Sequence, residues 1–296
     1  MRLVTSAAGI FLWISNNNPM KLYNTTQGIL IDDDGSYYLV SEASWDNFVN
    51  DDNLYDKMRA LASSQSAVSA SEIVAHELLA PLQNQEIWAS GVTYYRSRVG
   101  RQEESKESGG GDFYARVYEA ERPELFFKAP AHRTAGPGGK VRIRRDSVWD
   151  VPEPELTLMI TSSGKIVGYT IGNDMSSRSI EGENPLYLPQ AKSYDGCASI
   201  GPCIYVSSEP LSLETLITME IIRDEVKVFE GSTGINQIKR KLTDLVAYLY
   251  RECSFPYGCL LMTGTGIVPG SDFTLQQGDE IRITIAPIGT LVNFVA

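Results

Sequence analysis

The stretch WDVPEPELTL, Trp149 to Leu158, alternates two prolines with two glutamates, Pro152 and Pro154 against Glu153 and Glu155. Read as a strand, its period of two puts both carboxylates on one face and both prolines on the other. Proline donates nothing to a ladder. Two like charges roughly 7 Å apart on one face repel unless something positive sits between them. The question is what that positive group is.

The text that follows, TSSGKIVGYTIGNDMS, turns at Ser162–Gly164 and runs back as a second strand. A hairpin of this kind returns Asp174 to the side of the glutamates. Two Glu and one Asp are all oxygen donors, which suit Mg²⁺, Mn²⁺ or Ca²⁺ rather than Zn²⁺. The same spacing also fits a solvated acidic strand face. Basic residues lie around it: Arg178 four residues past Asp174, Lys192 in YLPQAKSYDG, and Lys128 ending ELFFK. They would let an anionic substrate approach a site in an open surface cleft, although each taken alone also reads as a surface charge.

Working outward, short alternating segments broken by Gly, Pro or Asn/Asp dominate from Gln85 onward: EIWASGVTYY, ELFFKAP, KVRIRRDS, LITMEIIRDEVKVFEG and GDEIRITIAPIGTLVNFVA. One helix interrupts them, INQIKRKLTDLVAYLYREC, with Ile238, Leu242, Leu245 and Leu249 at helical spacing. This is an α+β chain, mostly β, without βαβ alternation. Before it, residues 20–41 read as a hairpin turning at Asp32–Gly35. SWDNFVNDDNLYDKMRALASSQSA reads as a helix with Phe48, Leu54, Met58 and Leu61 on one stripe. The expected organisation is an N-terminal extension at 1–19, a small α/β domain at 20–82 and a catalytic domain at 83–296. Met20 is taken as the natural start, because MRLVTSAAGIFLWISNNNPM makes a poor signal peptide. Arg96–Tyr114, charged and with three consecutive glycines, reads either as a solvated loop or as a lid over the site.

Composition narrows the partners. The 296 residues carry a formal net charge of −11, which repels phosphate backbones, so no nucleic acid is expected. No apolar run reaches the length of a membrane span, so no membrane is expected either. Four scattered cysteines, Cys197, Cys203, Cys253 and Cys259, form no CxxC pair and suggest a reducing, cytoplasmic setting.

The segments VPEPELTLMITSSGKIVGYTIGNDMSSRS, LPQAKSYDGCASIGP, LMTGTGIVPG and GDEIRITIAPIGTLVN together resemble the fumarylacetoacetate hydrolase superfamily over roughly Glu86 to Ala296. The resemblance implies a β-roll sandwich with a metal at its mouth, in a homodimer or homotetramer. It implies that Glu153, Glu155 and Asp174 are the metal ligands, so the charge between the glutamates would be one divalent cation per subunit. The family lysine falls on Lys192 and its substrate-contacting threonine on Thr265. Ser90, Lys128 and Arg178 complete the expected substrate contacts.

Hydrolases of this superfamily use a histidine–carboxylate pair after the first site strand, here WASGVTYYRSRVG. No histidine occurs between His76 and His132, and His132 reads as a loop residue. Thr93 stands where the founding hydrolases carry a further Asp ligand. ERPELFFKA, DSVWDVPEPEL, ENPLYLPQAKSY and TGTGIVPG are most similar to a branch of 2-keto-3-deoxy-D-arabinonate dehydratases. That branch implies an anionic 2-oxo acid substrate chelated on Mg²⁺. Water is then lost by C3 deprotonation and departure of the C4 hydroxyl, with Lys192 and Glu124 as the ionisable catalytic pair. Which of the two is base and which is acid stays open at this level, and a salt bridge to Arg122 or Lys128 also fits Glu124. An acylpyruvate-type C–C hydrolase and an oxaloacetate decarboxylase or tautomerase are the alternatives within the superfamily; a metal-holding binding protein is the non-enzymatic one.

Overall fold

The structure, a computed structural model, describes residues 2–5, 11–14, 18–40, 44–97 and 111–296. The stretch quoted above is the centre of it. Asp150–Ile160 is a strand buried along its whole length, paired antiparallel with Ile166–Ser177 around the expected turn. Its even positions, Leu156, Leu158 and Ile160, enter one apolar core, while odd Met159 enters a second core on the opposite face. A strand buried on both faces reads as continuous apolar text, and LTLMI does so. The prolines lie where only one neighbour pairs: Cys259–Met262 joins on the other side over Thr157–Ile160 alone.

A ten-stranded sheet grows from this hairpin. On one side it continues through Ala198–Val206, Met20–Thr25, Gly28–Asp33 and Ser36–Val40. On the other it continues through Cys259–Met262, Glu86–Gly91 and Glu124–Ala129. A five-stranded sheet, with Leu216–Arg223, Glu280–Ile285 and Gly289–Val295 in its middle, packs against one face. Ile217, Met219, Ile221, Ile281 and Ile283 meet Leu156, Leu158 and Ile171 there. The helices Trp45–Val49 and Leu54–Ser64 cover the other face with Trp45, Phe48, Leu54 and Met58. The architecture is the mostly-β sandwich expected. Among the described residues no helix is long and apolar enough to cross a membrane.

Several local expectations change. Residues 20–40 form a three-stranded meander, not a single hairpin; its second turn is the expected one, with Asp34 and Gly35 at φ 54° and 82°. Both residues at positive φ match the twist of the flanking strands. These strands join the ten-stranded sheet through the pairing of Met20–Leu22 with Ile204–Val206, so 20–82 shares a sheet with the rest of the chain. The 44–67 helix is broken between Val49 and Leu54. There Asp51 accepts from the Asn53 amide, the kind of side-chain competition that ends helices. The 235–253 helix is confined to Leu242–Leu249 after one 3₁₀ turn. Ile238 bridges to Tyr94 and the Lys239 amide donates to the Thr93 carbonyl, so residues 238–241 serve the sheet and not a helix. KVRIRRDS pairs only at Lys140–Val141. Of the segment read as loop or lid, residues 98–110 lie outside the described residues, while Gly111–Glu119 is a helix.

Candidate active site

Glu153 and Asp174 are directly opposed across the hairpin, and Glu155 follows two residues on along the same face. Carboxylate oxygens of all three lie within 4.8 Å of one another. Glu153, Glu155 and Asp174 are 4%, 2% and 1% exposed, so the site is a buried one and not the open cleft expected. Three bare carboxylates so close, and out of water, need positive charge between or beside them.

The protein supplies part of it. Lys192, on the short helix Leu188–Lys192, sends its ammonium to Glu153 Oε2 at 2.8 Å, Asp174 Oδ2 at 3.2 Å and Ser176 Oγ at 2.5 Å. Arg178 Nη2 donates to Glu153 Oε1 at 2.5 Å. Glu181 stands 3.3 Å from Lys192 and 3.6 Å from Arg178, tying the two cations together. Lys128 approaches Asp174 from behind: its ammonium lies 2.6 Å from Asp174 Oδ1 and also donates to the carbonyls of Met175 and Lys192. An ammonium has three protons, and all three are engaged there.

Glu155 is the carboxylate least provided for. Among the described residues it accepts a hydrogen bond from the Gly264 amide, 2.5 Å from Oε2, in the TGT loop that follows Cys259–Met262. Burial pushes its pKa well above the usual carboxylate range, and the charges of Asp174 and Glu153 push it further. A carboxylate so placed favours either a proton or a divalent cation. Donor type, number and clustering fit a hard cation held by Glu153, Glu155 and Asp174.

The cavity at this point has a volume of about 20 Å³. Besides the triad it is lined by Ser90, Gly91, Val92, Phe126, Arg178, Lys192 and Thr265. Ser90 Oγ donates to the Glu124 carbonyl at 3.0 Å. Glu124 is half-buried at the start of Glu124–Ala129, directly opposite Gly91, with its carboxylate lying over the Gly91 Cα. A far larger groove, about 1070 Å³, surrounds the 163–165 turn and contains none of these side chains. It lacks the clustered buried carboxylates and cations of the smaller cavity.

The expected residues thus come together with two exceptions. Glu153, Glu155, Asp174, Lys192, Arg178, Ser90 and Thr265 share the cavity, while Glu124 does not line it itself but lies against Gly91, which forms part of its wall. Lys128 is not among the residues that line it; its ammonium is paired with Asp174 Oδ1. Glu181 and Ser176 were not foreseen. Glu181 had one signal, its place three residues after Arg178 in SRSIEGE, where a helical turn joins them. His132 is exposed in a 3₁₀ turn and does not line the cavity.

The fold and the site define a β-sandwich enzyme class whose all-oxygen cation site sits on one central hairpin. The chain belongs to the fumarylacetoacetate hydrolase family: the family model described as Fumarylacetoacetate (FAA) hydrolase C-terminal matches residues 86–296. It is 46% identical over 243 residues to a probable 2-keto-3-deoxyxylonate dehydratase of Haloferax volcanii, covering 81% of this chain and 82% of that one. It is 44% identical over 233 residues to the 2-dehydro-3-deoxy-D-arabinonate dehydratase of Saccharolobus solfataricus, covering 77% and 78%. A solved 2-keto-3-deoxy-D-arabinonate dehydratase complexed with magnesium and 2,5-dioxopentanoate superimposes with a TM-score of 0.77 at 34% identity. That match covers 94% of this chain and 98% of the other.

Proposed function

We propose that this protein is a metal-dependent hydro-lyase that dehydrates 2-keto-3-deoxy sugar acids, taking 2-keto-3-deoxy-D-arabinonate to 2,5-dioxopentanoate. The observation that carries the reading is the triad Glu153, Glu155 and Asp174 beside Lys192, in a chain 44–46% identical to dehydratases of such acids. Glu153, Glu155 and Asp174 would hold the cation, Mg²⁺ by analogy with the solved relative and Mn²⁺ or Ca²⁺ by donor type. When bound, the ion supplies Lewis acidity toward the carboxylate and keto oxygens of the substrate.

In the cluster at the site, among the described residues, four buried carboxylates (Glu153, Glu155, Asp174 and Glu181) face three buried cations (Lys128, Arg178 and Lys192). That leaves one formal negative charge, and a divalent ion turns it to one positive charge, matching a monoanionic substrate. Lys192 and Glu124 carry the two proton transfers, one removing the C3 proton and the other protonating the departing C4 hydroxyl. The resulting enone shifts by proton transfer from C5 toward C3, and the C5 aldehyde follows. Ser90, Arg178 and Thr265 orient the acid, and Lys128 acts through Asp174. No water nucleophile is needed, in keeping with the exposed positions of His76 and His132.

The same reading includes a catalytic unit at 83–296 behind a small unit at 20–82. It also includes assembly as a homodimer or homotetramer, and a cytoplasmic setting supported by four free thiols. The test is to incubate the protein and Mg²⁺ with 2-keto-3-deoxy-pentonate and, separately, with an acylpyruvate, and to identify the products. Release of 2,5-dioxopentanoate from the first alone supports the dehydratase. Rapid cleavage of the acylpyruvate overturns it in favour of the hydrolase.

A further inference from the structure

We propose that Gly91 is a positioning residue for Glu124: the missing side chain at residue 91 is the space in which the Glu124 carboxylate lies to reach the cavity wall. This rests on the reading of Glu124 as a proton-transfer group.

Gly91 ends the strand Glu86–Gly91 and is the register partner of Glu124 in the antiparallel pair. Directly opposed residues project from the same face, with β-carbons close enough to touch. A β-carbon built on Gly91 would overlap Glu124 Oε2 and stand 2.6 Å from its Cδ. No real contact of carbon with a carboxylate is so close, so any residue larger than glycine drives the carboxylate away. The backbone fixes where Glu124 starts, because Ser90 Oγ binds the Glu124 carbonyl, and so the side chain alone must yield.

The usual reason for a glycine does not apply. Gly91 does not occupy the left-handed region; the next residue, Val92, does, at φ 54°. A β-branched residue there is strained, and a glycine would relieve it. The chain carries its glycine one position before the place where backbone conformation asks for one. What glycine provides at 91 is therefore room, and the group that uses the room is Glu124.

The experiment uses the full chain loaded with Mg²⁺ and 2-keto-3-deoxy-pentonate. Gly91→Ala, Glu124→Gln and the double variant are compared for kcat, KM and Mg²⁺ dissociation constant, and their melting is compared in parallel. Gly91→Ala is expected to lower kcat by ~10²-fold, the scale of a displaced acid–base group, with KM and Mg²⁺ affinity within about twofold of the parent. Added to Glu124→Gln, it should lower kcat no further, because the group it displaces is already inert. A Gly91→Ala enzyme of parental kcat, or an equal loss in both backgrounds, overturns the proposal. Melting decides the matter even if Gly91→Ala folds poorly: in a Glu124→Ala background the space is vacant, and Gly91→Ala should then leave Tm unchanged. An equal Tm loss in both backgrounds overturns the proposal. Parental kcat in Glu124→Gln alone rejects the catalytic reading of Glu124, while the melting comparison still decides whether residue 91 positions it.

Discussion

Glu153 and Asp174, paired across the central hairpin, share one ammonium: Lys192 Nζ lies 2.8 Å from the first and 3.2 Å from the second. The group proposed to move a proton is thus also the internal counter-ion of two proposed metal ligands. Cation and ammonium compete for the same oxygens, and the remaining basic groups divide between them. Arg178 holds the far oxygen of Glu153, and Lys128 the far oxygen of Asp174.

Lys128→Met is expected to weaken divalent-cation binding by about 10- to 100-fold, the usual cost of losing a group that orients a ligand. It should also destabilise the protein by about 3 kcal/mol, because Asp174 stays buried with one partner fewer. Isothermal titration with Mg²⁺ and urea unfolding measure the two effects. A variant with raised KM but parental metal affinity and stability would return Lys128 to the role of a substrate contact.

The stability of the metal-free protein should carry the mark of Glu155. Its folded pKa is raised, first by burial and then by Asp174 and Glu153, so the folded state keeps a proton that the unfolded chain releases near pH 4.3. Its contribution is therefore fully present below that pH and is lost as pH rises through the folded value. In EDTA, wild type should lose Tm relative to Glu155→Gln between pH 5 and pH 8; with Mg²⁺ the order should reverse at pH 8. A difference between the two that does not vary with pH would place the proton elsewhere.

A chain beginning at Met20 should fold and turn over normally. Among the described residues, Arg2–Thr5 and Phe11–Ile14 pair only with each other, in a two-stranded sheet separate from the other two. From the body of the protein, Tyr55 and Arg59 donate hydrogen bonds to the Asn18 carbonyl. Differential scanning calorimetry and steady-state turnover test it; aggregation or a loss of turnover of tenfold or more would make residues 1–19 structural.

Several features of the site were legible in the residues themselves. The face shared by Glu153 and Glu155 follows from the two-residue period of a strand, and the return of Asp174 follows from a short turn; both are local geometry. The same holds for the alternation that sends Leu156 and Leu158 into one core and Met159 into the other. The helices were less legible, because Val49–Leu54 and Ile238–Lys241 look helical in isolation. Polar side chains at the first break, and strand contacts to Thr93 and Tyr94 at the second, outweigh propensities of a few tenths of a kcal/mol per residue.

The sequence by itself determined the hairpin, the acid pair on one face and the chemical type of the cation they suit, since each depends only on neighbours along the chain. Tertiary structure alone decided which carboxylate each basic residue serves. Lys128 and Lys192 read alike as nearby positive charges. Docked on the strand Glu124–Ala129 and the helix Leu188–Lys192, they meet different oxygens of Asp174, Lys128 at Oδ1 and Lys192 at Oδ2, and of the two it is Lys192 that lines the cavity. The recruitment of Glu181 and the fit of Glu124 over Gly91 were decided in the same way. Strand register and helix docking join residues 30 or more positions apart in such contacts as Ser90 to Glu124, and no local period encodes that choice.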